Sequence, residues 1–133
     1  MIPLCVDQGV AVLPYSPLAR GLLARSQDDA GERQTLRARS DALQEDFRSQ
    51  PGVAEVIARV AETAHKRDLP PARIALAWVL HKHGVTAPIL GATRASHLDD
   101  AAAATAVELD ADEIHFLEEA YVPRAAEHKE GWR

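Results

Sequence analysis

Gly9-Val10-Ala11-Val12-Leu13-Pro14 sets four consecutive apolar residues between a glycine and a proline. A short run without polar alternation reads as a strand buried on both faces, the pattern of a parallel sheet covered by helices. Val85-Thr86-Ala87-Pro88-Ile89-Leu90-Gly91 is a second such run, although Pro88 cannot donate to a ladder. Elsewhere the apolar residues fall into helical spacing. Residues 2–8 read as the end of a helix, with Met1 inside it, running into Gly9. Val53, Val56, Ile57, Val60, Ala61 and Ala64 form one amphipathic face ending near Lys66 and Arg67, where cations complement the helix dipole. Pro70-Pro71 starts another helix, because proline fits a first turn. Ile74, Ala77, Trp78 and His81 share one face of it, Leu76 and Leu80 lie beside them, and Gly84 closes it. A third helix is expected over about 96–105. Asp110 caps a fourth, with Glu113 completing a capping-box pair and Ile114 and Leu117 in the buried stripe.

The order is therefore strand, long loop, helix, helix, strand, helix, helix. Such alternation argues for an α/β fold with a parallel sheet. Two strands cannot make a stable parallel sheet alone, because both would be edges. The segment is expected either to pair with something or to be part of something larger. On its own it should fold poorly or self-associate through exposed apolar strand surface. The 26–50 stretch is polar, with mixed charges, and reads as a long excursion with about one helical turn.

Composition bounds the partners. The formal net charge of −5 argues against a phosphate-backbone binder, which needs a basic face. Basic side chains between Arg20 and Arg39 still leave a local anion site open. Cys5 is the only cysteine, so no internal disulfide can form, and it reads as a small buried apolar residue. That usage suits a reducing cytoplasm. No apolar run approaches the ~20 residues needed to span a bilayer, and the N-terminus lacks the regions of a signal peptide. The expectation is a soluble cytoplasmic protein with no membrane or nucleic-acid partner.

Two segments carry candidate chemistry, and each follows a strand. The first is Leu13-Pro14-Tyr15-Ser16-Pro17-Leu18-Ala19-Arg20-Gly21-Leu22. The second is Pro88-Ile89-Leu90-Gly91-Ala92-Thr93-Arg94, leading to His97-Leu98-Asp99-Asp100. In parallel α/β folds, loops at the C-terminal ends of strands build the ligand site. Gly91 lets a ligand approach the backbone, and the following helix N-terminus presents amides to an anion. Thr93 offers a hydroxyl, Arg94 a fork suited to phosphate, and Tyr15 a flat face that could stack on a planar ring. Each also has a plain structural reading: Tyr15 as rim packing, Ser16-Pro17 as a turn, Gly91 to Thr93 as the start of a helix.

Taken together, these segments resemble the C-terminal third of the aldo-keto reductase family. That family has an aromatic-Ser-Pro-Leu-Ala segment after one barrel strand and a Gly-Ala-Ser/Thr segment running into a helix after the last. The Ile74-Ala75-Leu76-Ala77-Trp78 helix and the 109–117 helix look similar as well. The resemblance covers essentially the whole of 1–133, with 26–50 matching least, and 124–133 is expected to be a mobile tail. It implies the C-terminal part of a (β/α)8 TIM barrel, with about two strands and four to five helices. It also implies an enzyme that reduces aldehydes and ketones with NADPH, or with NADH.

On that resemblance Tyr15 stacks against the nicotinamide, while Ser16 and the backbone of Pro17, Leu18, Ala19 and Arg20 line the pyrophosphate. Gly91, Thr93 and Arg94 meet the adenosine ribose and its 2′-phosphate. His97 and Asp100 fall at the adenine side, and Arg37 clamps the pyrophosphate. Two positions depart from the family pattern: Ala101 replaces a common Asn, and His97 stands where Gln or Arg is usual. The family's catalytic Tyr, with its Asp, Lys and His partners, lies in the N-terminal part of the barrel, and no segment here matches it. A TIM barrel takes about 250 residues, so this chain is roughly half of one and is expected to be inactive alone. The rival reading is a non-catalytic half-barrel that dimerises or docks on a partner, with weak or no dinucleotide binding.

His81 and His83 invite a metal reading, but residues two apart do not share a helix face and no partner has metal-site spacing. A helix-end role fits them, and no metal ligand is assigned. Asp28-Asp29, Asp99-Asp100 and Glu118-Glu119 are adjacent acids rather than facing pairs. Trp132, in the tail, is a weak candidate for touching substrate.

Overall fold

The computed structural model describes residues 1–24 and 46–123. Arg37, most of the 26–50 excursion and the 124–133 tail with Trp132 lie outside the described residues. The described elements are α1 (Ile2–Asp7), a 3-10 segment (Ala19–Ala24), α2 (Val53–Lys66), α3 (Pro71–His81), α4 (Ala95–Ala104) and α5 (Ala111–Glu118).

α2 follows its apolar spacing. Val60, Ala61 and Ala64 are buried and Val56 and Ile57 half-buried. Thr63 joins them, and its hydroxyl donates to the Arg59 carbonyl at 2.9 Å, so the buried group is satisfied. α3 buries Ile74, Ala75, Leu76, Ala77 and Val79, a wider surface than one stripe, which makes it the central helix. Its last residue, His81, is exposed, and Nδ1 hydrogen-bonds the Ala77 carbonyl at 2.9 Å. The helix stops there, and Gly84 lies beyond its end in the turn to Val85, with φ +86°. A Cβ at Gly84 would sit 2.7 Å from Ile2 Cγ2 and 3.0 Å from Val6 Cγ2, so the missing side chain lets α1 dock. α1 begins at Ile2 with Met1 as its N-cap, because Pro3 in the first turn sets the start.

α5 carries the expected capping box: Glu113 N donates to Asp110 Oδ1 at 2.8 Å and Asp110 N to Glu113 Oε2 at 2.9 Å. The core gathers Val60, Ala64, Ile74, Ala75, Ala77, Leu109 and Leu117, with Ile114 and Trp78 packed at its margin. Polar latches surround it. Arg67 forks onto Glu113 with two 2.5 Å bonds, and Arg59 reaches Glu119 at 2.8 Å and the Phe116 carbonyl at 2.7 Å. Trp78 Nε1 and Lys82 Nζ both donate to Glu118. α5 is thereby tied to both α2 and the end of α3.

The two extended runs lie side by side and parallel, bridged at Val12–Val85 and Tyr15–Ile89. The bridges are isolated, and among the described residues no continuous strand forms, which corrects the expectation of two strands. The cause is local. Thr86 N donates to the Val12 carbonyl at 2.9 Å, while Val12 N bonds the Thr86 hydroxyl at 3.2 Å. The next Val-strand carbonyl in the pattern, Pro14, would be met by residue 88, but Pro88 has no N–H, so Ile89 donates instead at 2.8 Å. Two residues on one run thus oppose three on the other, as in a bulge. Nor is the first run buried on both faces: Val10 is 57% and Leu13 52% exposed, because the described residues give it one parallel neighbour and leave that surface uncovered. Cys5 is half-buried rather than buried, on a helix none of whose residues is enclosed. No helix among the described residues is long and apolar enough to cross a membrane.

Candidate functional site

Because the two runs are parallel and bridged at Tyr15–Ile89, both loops leave the same edge of the pair. Tyr15 and Ser16 emerge beside the chain that continues into Gly91, Thr93 and Arg94. The sequence placed these groups at two strand ends; the pairing makes them neighbours.

The first loop is anchored from below and open above. Leu22 is buried, and Leu18 and Leu23 pack against the core cluster. Ser16 and Arg20 are exposed, Pro17 and Ala19 half-buried, and the Tyr15 ring is 82% exposed, so its face is available for stacking. The loop turns tightly: Ala19 N donates to the Ser16 carbonyl and Gly21 N to the Leu18 carbonyl, both at 2.9 Å. Ser16, Ala19 and Arg20 take φ of 54°, 47° and 58°, and Gly21 93°. Left-handed backbone costs non-glycine residues energy and clusters where structure serves function. The leucine anchors hold that conformation in place.

The second loop runs through Gly91, where an added Cβ would meet nothing within 4 Å. The backbone there is open to a ligand. Thr93, Arg94 and His97 are exposed, and Arg94 is the N-cap of α4. α4 differs from α5 at this end: no side chain caps it and no acid occupies its first turn. An anion arriving there competes with no carboxylate and meets the positive end of the helix dipole. His97 Nδ1 accepts from Thr93 N at 3.4 Å. Asp100, three residues on, is half-buried and takes a hydrogen bond from Arg73 Nε at 2.9 Å.

The structure pairs Tyr15 with Ile89, so the loop of Ser16, Pro17, Leu18, Ala19 and Arg20 and the loop of Gly91, Thr93 and Arg94 leave the same end of the pair, with His97 and Asp100 on the helix that follows the second. Arg37 lies outside the described residues. Arg73 was not legible as part of this region, since it belongs to a different helix and no motif marks it. These groups suit a dinucleotide: a flat ring for a planar base, a tight loop and helix N-terminus for phosphates, and an arginine fork for a further phosphate. No cluster of three or more His, Cys, Asp or Glu side chains that could hold a metal ion occurs among the described residues.

A family model described as the Aldo/keto reductase family matches residues 1–122. Versiconal hemiacetal acetate reductase of Aspergillus parasiticus is 41% identical over 128 residues, which cover 94% of this chain and 36% of that protein. An aldo-keto reductase of Fusarium vanettenii is 41% identical over 126 residues, 93% of this chain and 33% of its own length. A Schizosaccharomyces pombe protein named as an aryl-alcohol dehydrogenase is 39% identical over 123 residues, 92% of this chain and 37% of its own. The chain spans about a third of the length of the curated relatives it matches.

Proposed function

The chain belongs to the aldo/keto reductase family, and on that premise we propose that it is the cofactor-holding C-terminal part of an oxidoreductase that reduces aldehydes and ketones to alcohols. The family implies a (β/α)8 barrel and an NAD(P)H-dependent reaction. The observation that carries the reading is the parallel pairing of Tyr15 with Ile89, which puts the aromatic-Ser-Pro loop and the Gly91 loop at one edge.

In this reading Tyr15 supports the nicotinamide ring. Ser16 and the turn through Pro17, Leu18, Ala19 and Arg20 hold the pyrophosphate, with Arg37 as a further clamp. Gly91 leaves room for the adenosine ribose, and Thr93 and Arg94 bind that ribose and its 2′-phosphate. His97 and Asp100 flank the adenine. NADPH is the preferred cofactor because Arg94 is a fork suited to the extra phosphate, and NADH is the second choice. When bound, the reduced nicotinamide supplies a hydride to the substrate carbonyl carbon, and the protein supplies orientation and electrostatics. The acid that protonates the oxygen belongs to the part of the barrel not represented in residues 1–133.

The test is titration of the intact protein with NADPH and NADH, followed by quenching of tryptophan fluorescence. Saturable binding is expected, tighter for NADPH. Arg94→Ala should weaken NADPH about tenfold while changing NADH little, as for loss of one charge-assisted hydrogen bond. Ser16→Ala should weaken both. A folded protein that binds neither nucleotide overturns the proposal.

Exposure of Val10, Leu13 and Ile89, each more than half open, favours a second reading. Here the chain is a non-catalytic half-barrel that associates with itself or a partner and binds dinucleotide weakly. The two readings separate on turnover: only the first expects the intact protein to consume NADPH when given a simple aromatic aldehyde.

A further inference from the structure

Asp100 owes its setting to a residue outside both ligand loops. It lies in the second turn of α4, three residues after His97, and so shares that helix face. Arg73, in the first turn of α3, donates Nε to Asp100 Oδ1 at 2.9 Å. The side chains are 30% and 27% exposed, so the pair is neither a loose surface contact nor sealed in the core. Arg73 stands on firm support, because the next residue, Ile74, is fully buried. Oδ1 is the Asp100 oxygen that takes a hydrogen bond among the described residues.

We propose that Arg73 is a positioning residue for base recognition: by engaging Oδ1 it turns Oδ2 of Asp100 toward the ligand side of α4, as an acceptor for the exocyclic amine of adenine. This rests on the cofactor reading above and deepens it. A carboxylate on a helix has freely exchanging oxygens unless one is held, and a charge-assisted bond to guanidinium holds it. An ionised carboxylate only accepts, so it selects a purine with an amine at that edge over one with a carbonyl. The neighbouring Ala101 has no polar side-chain atom to share the task.

The experiment compares the affinity of the intact protein for NADPH and for its deaminated counterpart, in which hypoxanthine replaces adenine. The wild type should prefer the adenine form by about tenfold or more, the scale of one hydrogen bond to a charged group. Arg73→Met and the control Asp100→Ala should each reduce that preference to about twofold or less, and Arg73→Lys should restore part of it. Should Arg73→Met not fold, as judged by circular dichroism, Arg73→Lys alone decides, with a preference below that of the wild type expected. A mere latch between α3 and α4 would weaken both nucleotides together and leave the preference intact in the Arg73 variants, which overturns the proposal. Tight binding of both forms by the wild type without preference also overturns it, while leaving the cofactor site standing. Failure of both forms to bind removes the cofactor reading itself.

Discussion

Ile89 donates its amide to the Pro14 carbonyl at 2.8 Å, and this bond sets the two ligand loops side by side. It stands where residue 88 would donate were it not a proline, so the register at the loop ends depends on it. Ile89→Pro removes the donor without replacement. The variant is expected to lose about 1–3 kcal/mol of stability in urea unfolding and to lose saturable NADPH binding. Full binding in that variant would mean that the pairing does not organise the loops.

Gly21 tests the strain in the first loop. Its φ of 93° suits glycine, and a Cβ there would meet nothing within 4 Å. Gly21→Ala therefore adds backbone strain without a clash. A loss of about 1–2 kcal/mol is expected, read as a lowered urea midpoint. NADPH affinity should fall as well, because Arg20 and Ala19 lie in the same turn.

Ile74 is fully buried in α3, among Val60, Leu109 and Leu117 in the core cluster. Ile74→Ala should cost about 2–5 kcal/mol, the range for emptying such a site. Circular dichroism melts will read it, and a cost under about 1 kcal/mol would show that the core collapses around the gap.

Much of this was legible in the sequence, and the reasons differ by element. Asp110 and Glu113 announced their capping box because that motif is local and both partners lie within one turn. The α2 face was legible from period alone, down to its end at Lys66. The pairing of the two extended runs was legible as parallel, but its broken register was not, because it depends on which carbonyl faces Pro88. Arg73 was missed for a related reason: its partner Asp100 is on another helix, and neither residue type signals the other. The strand burial expected for Val10 and Leu13 assumed cover on both faces, which the described residues do not supply.

Acid should loosen the helical layer. The Arg67 guanidinium holds the Glu113 carboxyl below its usual range, Lys82 does so for Glu118, and Arg59 for Glu119. Each folded-state value lies below the unfolded one, so the stabilisation is present above about pH 4.5 and is lost as pH falls through the folded values. Glu113 should dominate, since Glu118 and Glu119 are more exposed and better screened. Glu113→Gln should therefore flatten the decline in urea midpoint between about pH 5 and 3, and an unchanged slope would contradict that assignment.

If two loops from parallel neighbours form one dinucleotide site, hydrogen exchange with and without NADPH reports on both at once. Protection of 15–21 and 91–100 together, at the same ligand concentration, is the predicted result. Saturable binding that protects only one of the two stretches, or neither, would contradict it.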